Sequence, residues 1–298
     1  WSSDVCSSDL PAQGGMGDGA RLAPMTNGGE RWGAWLMVLA ALQWGLIGVV
    51  GRVAMEESVP PVAVAFWRAA GGAACFALHA WISRSGPLHA ADRGRAACLG
   101  AGGVALMYLS YLSAVRHGGA AMASVLLYSA PLWVAAGGWL GWGERPSRRD
   151  MAPLGLTFVG VVAVALGAHP AGAPSRLDPR AVGCGLLSGV TYALYYLMGR
   201  PLFARNAPSR VLAWALAVGA LALAPFVSFG PVSPRAALAM AGLSVVCTFG
   251  GYFAYAHGLS RLSPSRAATI ATLEPVVAMA TAYAVWGRSE EHTSELQS

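Results

Sequence analysis

The sequence predicts an all-α integral membrane protein, an inverted repeat of two five-helix units with nine transmembrane helices present and a tenth missing. Three observations carry that expectation. Hydrophobic residues make up 55% of the 298 and charged residues only 11%, with a mean hydropathy of +0.50. A soluble domain carries about 25% charged residues, so here too little polar surface exists to clothe a water-soluble body, and lipid must solvate most of the chain. The apolar residues are gathered into bilayer-length runs separated by short polar turns. The second half of the chain also echoes the first at a nearly fixed offset.

A bilayer core takes about 20 apolar residues per helix. The runs fall at 32–51, 61–81, 96–115, 119–142, 151–168, 181–199, 210–230, 236–258 and 264–286. The longest connection, His169–Arg180, is rich in Pro and Gly, and none is large enough for a soluble domain. All 20 basic residues are arginine. Alternate loops divide them unequally: thirteen, among them Arg21, Arg84, Arg93, Arg205 and Arg261, against Arg52, Arg116, Arg176, Arg180 and Arg235. Because positively charged loops stay inside, the expected placement is multi-pass in a bacterial cytoplasmic (inner) membrane, with residues 11–31 as a cytoplasmic N-terminal segment. The arginines occupy short loops and form no continuous basic face, which argues against nucleic acid as a partner despite a net charge of +6. Cys75, Cys98, Cys184 and Cys247 lie in apolar runs without metal-ligand spacing, and neither metal nor cofactor is expected.

Both ends are out of character with their neighbours. Arg288–Gln297 can be encoded by AGATCGGAAGAGCACACGTCTGAACTCCAG, whose reverse complement in another frame reads as Trp1–Leu10. That DNA resembles a common sequencing-library adapter. The expectation is that residues 1–10 and 288–298 are translated adapter, outside the fold.

Tyr111, Pro131, Trp142 and Gly143 recur 144 positions later as Tyr255, Pro275, Trp286 and Gly287. Trp44, Gly51-Arg52 and Pro60 meet Tyr192, Gly199-Arg200 and Pro208 at an offset of 148. Segments one to four therefore pair with six to nine, and the repeat unit is five helices, 32–168 and 181–287. An odd number of crossings per unit inverts one half relative to the other. The second unit stops after its fourth helix, so a tenth is inferred to be missing. At this point the chain resembles the EamA family of the drug/metabolite transporter superfamily, through Ser129–Trp133 (SAPLW), Trp142–Glu144 (WGE), Leu273–Val277 (LEPVV) and Phe66-Trp67-Arg68. The resemblance implies a ten-helix secondary carrier that exports metabolites or toxic compounds.

Two formal charges stand inside the predicted segments, Arg68 in the second and Glu274 in the ninth. A charge near the bilayer centre costs roughly 2.5–3.5 kcal/mol on insertion scales, so each should be paired, face a cavity or, for Glu274, be protonated. Glu274 is followed by Pro275, which removes a backbone donor and kinks a helix. A carboxylate beside a mid-membrane helix break is where a carrier binds a cation, a proton or a substrate amine; the alternative is a protonated acid with a purely structural hydrogen bond. Arg68 either snorkels to the surface, holds a substrate carboxylate or pairs with Glu274. Pro131 is the repeat mate of Pro275, and both are gating candidates. Gln43, Trp44, Tyr128 and Tyr192 are cavity-lining candidates, with Trp133, Tyr195 and Tyr255 nearby in the pattern.

The expected function is secondary active transport, exporting small metabolites or drugs by alternating access, with proton exchange a candidate driving reaction. The partners are a small-molecule substrate and the bilayer; a homodimer is left open. No GxxxxGK[ST] phosphate loop is present. A membrane-embedded enzyme is the alternative, although no HExxH, GxSxG or paired carboxylates occur within a segment. A non-transporting scaffold is the third reading, and it leaves the charge at Glu274 unexplained.

Overall fold

The computed structural model describes residues 27–143 and 178–286 and, between them, 151–152, 154–156, 158–159 and 162. The two terminal tails, Glu144, Gly287 and much of the fifth segment lie outside the described residues.

Every long described element is a helix, and among the described residues seven are long and apolar enough to span a bilayer: Gly28–Glu56, Pro61–Ile82, Ala90–Leu127, Pro179–Arg205, Pro208–Phe226, Pro234–Leu259 and Pro264–Val285. Of the nine expected segments, the fifth lies largely outside the described residues, and the fourth is not among these seven. The fourth segment does not form one helix. Gly119, at φ 82° and ψ 161°, separates it from the third within Met107–Leu127, and a turn at Tyr128-Ser129 then precedes Ala130–Trp142. Each piece alone is shorter than a bilayer requires.

Proline sets the helix starts. Pro61, Pro179, Pro208, Pro234 and Pro264 each occupy the first turn, where a missing N–H costs nothing because that donor has no intrahelical partner. Asp178, Ser233 and Ser263 sit just before three of them, and their side chains accept from Arg180 N, Ala236 N and Arg266 N, the usual N-cap satisfaction. Gly143 ends Ala130–Trp142 with φ 68°, a left-handed cap that glycine adopts without strain.

The internal correspondence extends to backbone irregularities. Ala90–Cys98 runs through a π-helical stretch, Leu99–Leu106, into Met107–Leu127; Pro234–Gly242 runs through another, Leu243–Gly250, into Gly251–Leu259. The stretches start 144 positions apart. Pro264–Ala271 and Glu274–Trp286 are likewise separated by a two-residue break, 144 positions beyond the break at Tyr128-Ser129.

Helices approach where side chains are small, the usual means of tight packing in lipid. A Cβ on Gly189 would stand 2.7 Å from Leu126 O, and one on Gly185 would stand 2.8 Å from Leu126 Cβ. Gly45 meets Val277 in the same way, 2.6 Å from its Cβ, which brings the first helix against the last. Trp32, Trp35 and Trp81 near the ends of the first two spans are exposed, as interfacial anchors are.

Ion pairs tie the connections together. Arg266 meets Glu30 at 2.6 Å, and Arg205 and Arg95 meet Asp92 at 3.6 and 3.5 Å. Arg235 meets Glu57 at 3.4 Å, and His117 meets Asp178 at 3.2 Å. Each pair joins stretches that the alternation of arginine-rich and arginine-poor loops assigns to one side.

Candidate functional site

The interior is aromatic and tyrosine-rich. Tyr192, Tyr195 and Tyr196 project from one face of Pro179–Arg205 because helical neighbours lie three and four positions apart. Tyr252 and Tyr255 do the same on Gly251–Leu259. Tyr195 stacks on Tyr252 with centroids 5.2 Å apart and an interplanar angle of 25°. Trp44 stands edge-on to Tyr252 at 5.2 Å and tilted against Tyr255 at 5.6 Å. Tyr255 donates its hydroxyl hydrogen to Tyr195 O, across two helices.

Glu274 opens the second half of the broken last span. Tyr192 OH donates to Glu274 Oε2 at 3.2 Å, and Tyr128 also lies within reach of the carboxyl group. Tyr128 sits at the break in the fourth segment, so the carboxylate on one broken helix faces the break of the other. Pro275 and Pro131 are each the second residue of a half-helix. The helix breaks for two residues just before each half-helix. The prolines begin new helices, where a proline is well accommodated.

Arg68 is buried, with 9% exposure, so it does not snorkel. Its Nη1 donates to Tyr108 OH at 3.1 Å, and its guanidinium lies 5.1 Å from the Tyr108 ring centroid, a cation–π distance. Tyr195, Tyr252 and Cys247 complete its surroundings. Arg68 and Glu274 form no direct ion pair; Tyr252 is within electrostatic reach of both. The arrangement is two separated charges bridged by tyrosines.

Gln43 Nε2 donates to Val246 O at 3.2 Å, a carbonyl of the π-helical stretch Leu243–Gly250. Such irregular turns are frequent at functional sites. Gln43 Oε1, Trp44 Nε1 and Thr248 Oγ1 are buried and have no hydrogen-bond partner among the described residues. Buried polar groups in folded proteins are almost always paired, so unpaired ones on this layer are groups available to a bound solute or water.

Of the residues singled out from sequence, Gln43, Trp44, Arg68, Tyr128, Tyr192 and Glu274 thus fall on one connected interior layer. Trp133 is 37% exposed and bonds Ser129 Oγ at 3.0 Å, apart from that layer. Tyr108, Tyr196 and Tyr252 were not singled out. The i, i+3, i+4 spacing of Tyr192, Tyr195 and Tyr196 was a visible signal for the second; nothing local marks Tyr108 as the partner of Arg68.

Comparison with known proteins gives the same picture over the same span. The model of the EamA-like transporter family matches residues 31–166 and 179–290. An uncharacterized transporter of Archaeoglobus fulgidus is 28% identical over 190 residues, covering 62% of this chain and 65% of the relative. The chain thus spans about two thirds of that relative's length. Uncharacterized transporter YwfM of Bacillus subtilis is 27% identical over 248 residues, 81% of each chain. A protein of known crystal structure superposes with a TM-score of 0.68 at 18% identity, covering 89% of this chain and 91% of that one, a likeness of fold.

Proposed function

The chain belongs to the EamA-like transporter family, and from that premise we propose a secondary active transporter that exports small metabolites or drugs by alternating access, with proton exchange at Glu274 as its driving reaction. One observation carries the reading: a carboxylate at the junction of two half-helices, held by Tyr192 in a layer whose Gln43 and Trp44 have polar atoms unpaired among the described residues. Broken helices at mid-membrane free backbone and side-chain groups for a solute and let half-helices move separately. In this reading the two repeat units rock against each other about that layer. The N-terminus lies in the cytoplasm, as the arginine-rich loops require. Arg68 supplies a second recognition point, for an anionic group on the solute. No observation favours a membrane-embedded enzyme, and the relatives' names point to transport.

The test is flux in proteoliposomes carrying an imposed pH gradient, with a panel of amines, amino acids, nucleosides and lipophilic dyes. One class should move and dissipate the gradient as it does so. Glu274→Gln should lose both movements while inserting normally. Coupled flux that persists in that variant would reject the role of Glu274.

A further inference from the structure

A second site lies away from the tyrosine layer, at the arginine-rich face. Arg93, in the helix Ala90–Cys98, and Arg210, in the first turn of Pro208–Leu223, both line a groove of about 480 Å³. Arg210 is fixed in place: its Nε and Nη2 donate to Ser85 O at 3.3 and 3.1 Å. Arg93 has no acidic partner among the described residues. The carboxylate next to it in sequence, Asp92, is 1% exposed and is already taken by Asn206 Nδ2 at 2.8 Å and by Arg95 and Arg205. Among the described residues no carboxylate lines the groove, which leaves two guanidinium groups whose charge is not answered there.

Apart from Ser85, the rest of the lining is apolar. Ala213, Trp214 and Ala217 continue the wall along the helix that starts beside Arg210. At 1.5 Å per residue, Trp214 and Ala217 lie about 6 and 10 Å further along its axis towards the hydrocarbon. Trp214 is 44% exposed, and the alanines on either side of it in sequence along this wall are small. The groove is therefore cationic at the interface and apolar below it, within one continuous cleft.

We propose that this groove binds an anionic phospholipid, its phosphate held by Arg93 and Arg210 and one acyl chain lying along Ala213, Trp214 and Ala217. Guanidinium groups match phosphate through charge-assisted, directional hydrogen bonds, and basic pockets between membrane helices at the cytoplasmic face are suited to lipid headgroups. A free phosphate would use the arginines alone and leave the apolar wall without a role. The proposal does not depend on the transported solute.

The experiment is native mass spectrometry of the full chain in a neutral detergent, titrated with phosphatidylglycerol, phosphatidylcholine or inorganic phosphate. One phosphatidylglycerol should remain bound at least fivefold more tightly than phosphatidylcholine. Arg93→Gln, which leaves the Arg210–Ser85 contacts in place, should remove that preference. Ala217→Leu, which fills the apolar wall without changing charge, should weaken phosphatidylglycerol binding while helix content is unchanged. Equal binding of the two lipids, indifference of both variants, or displacement of phosphatidylglycerol by millimolar inorganic phosphate would each overturn the proposal.

Discussion

Glu274 and Arg68 were legible as single residues because a charge inside an apolar run has no inexpensive explanation. What they touch was not legible, since the contacts span large separations in sequence: Tyr192 to Glu274 crosses 82 positions and Arg68 to Tyr108 crosses 40. Asp92 escaped notice for the opposite reason. It stands among Arg93, Arg95 and other polar neighbours, so it reads as a solvated turn, yet its side chain is buried between two connections. Two substitutions follow at this scale. Tyr192→Phe keeps the ring packing against Tyr195 and Tyr196 and removes only the hydroxyl. Hydrogen bonds to charged groups contribute about 1.5–3 kcal/mol, so coupled flux should fall roughly tenfold or more, with protein yield unchanged. Asp92→Ala strips Asn206, Arg95 and Arg205 of a common acceptor. Both arginines are more than half exposed and water screens them, so the loss should come mainly from the Asn206 contact, read as a lower thermal midpoint in detergent.

At the scale of the element, the apolar runs locate the helices and the prolines mark the breaks. From sequence, Pro131 and Pro275 are helix-break candidates, because a proline inside a helical pattern removes a backbone donor. The helix stops for two residues before each half-helix, so the prolines occupy first-turn positions and the carboxylate of Glu274 sits at a helix start. The π-helical stretches Leu99–Leu106 and Leu243–Gly250 had no sequence signal, since LGAGGVAL and LSVVCTFG share little beyond small and apolar residues. Packing between elements is open to a paired test. Gly189→Ala places a methyl group 2.7 Å from Leu126 O, against backbone that cannot turn aside, and overpacking of this kind costs about 1–3 kcal/mol. Gly183→Ala, on the same helix, meets nothing within 4 Å and should be neutral or stabilising by up to ~1 kcal/mol through helix propensity. Thermal unfolding of the two variants side by side separates a packing role from a general intolerance of this helix.

For the whole molecule, sidedness is the property on which transport depends, and arginine counts together with loop contacts bear on it independently. The counts follow from how a chain inserts; the contacts follow from how it packs afterwards. Exposed ion pairs such as Arg235–Glu57 and Arg266–Glu30 contribute little energy, about 0–1 kcal/mol each, but two residues 2.6 or 3.4 Å apart must share a side of the bilayer. Both sets of pairs respect the partition made from arginine alone. A cysteine-labelling experiment tests the partition and its direction separately. With the native cysteines replaced, single cysteines at Gly86 and Ser260 should react with a membrane-impermeant maleimide only in inverted vesicles. Single cysteines at Ser58 and Val232 should react only in intact spheroplasts. All four positions are exposed, and a Cβ on Gly86 meets nothing within 4 Å, so reactivity reports access rather than packing. Reversal of all four results would keep the partition and invert the molecule, leaving Arg93 and Arg210 in the outer leaflet. Labelling of Gly86 and Val232 from the same side would break the alternation itself, and with it the pairing of segments one to four with six to nine on which the two-unit carrier rests.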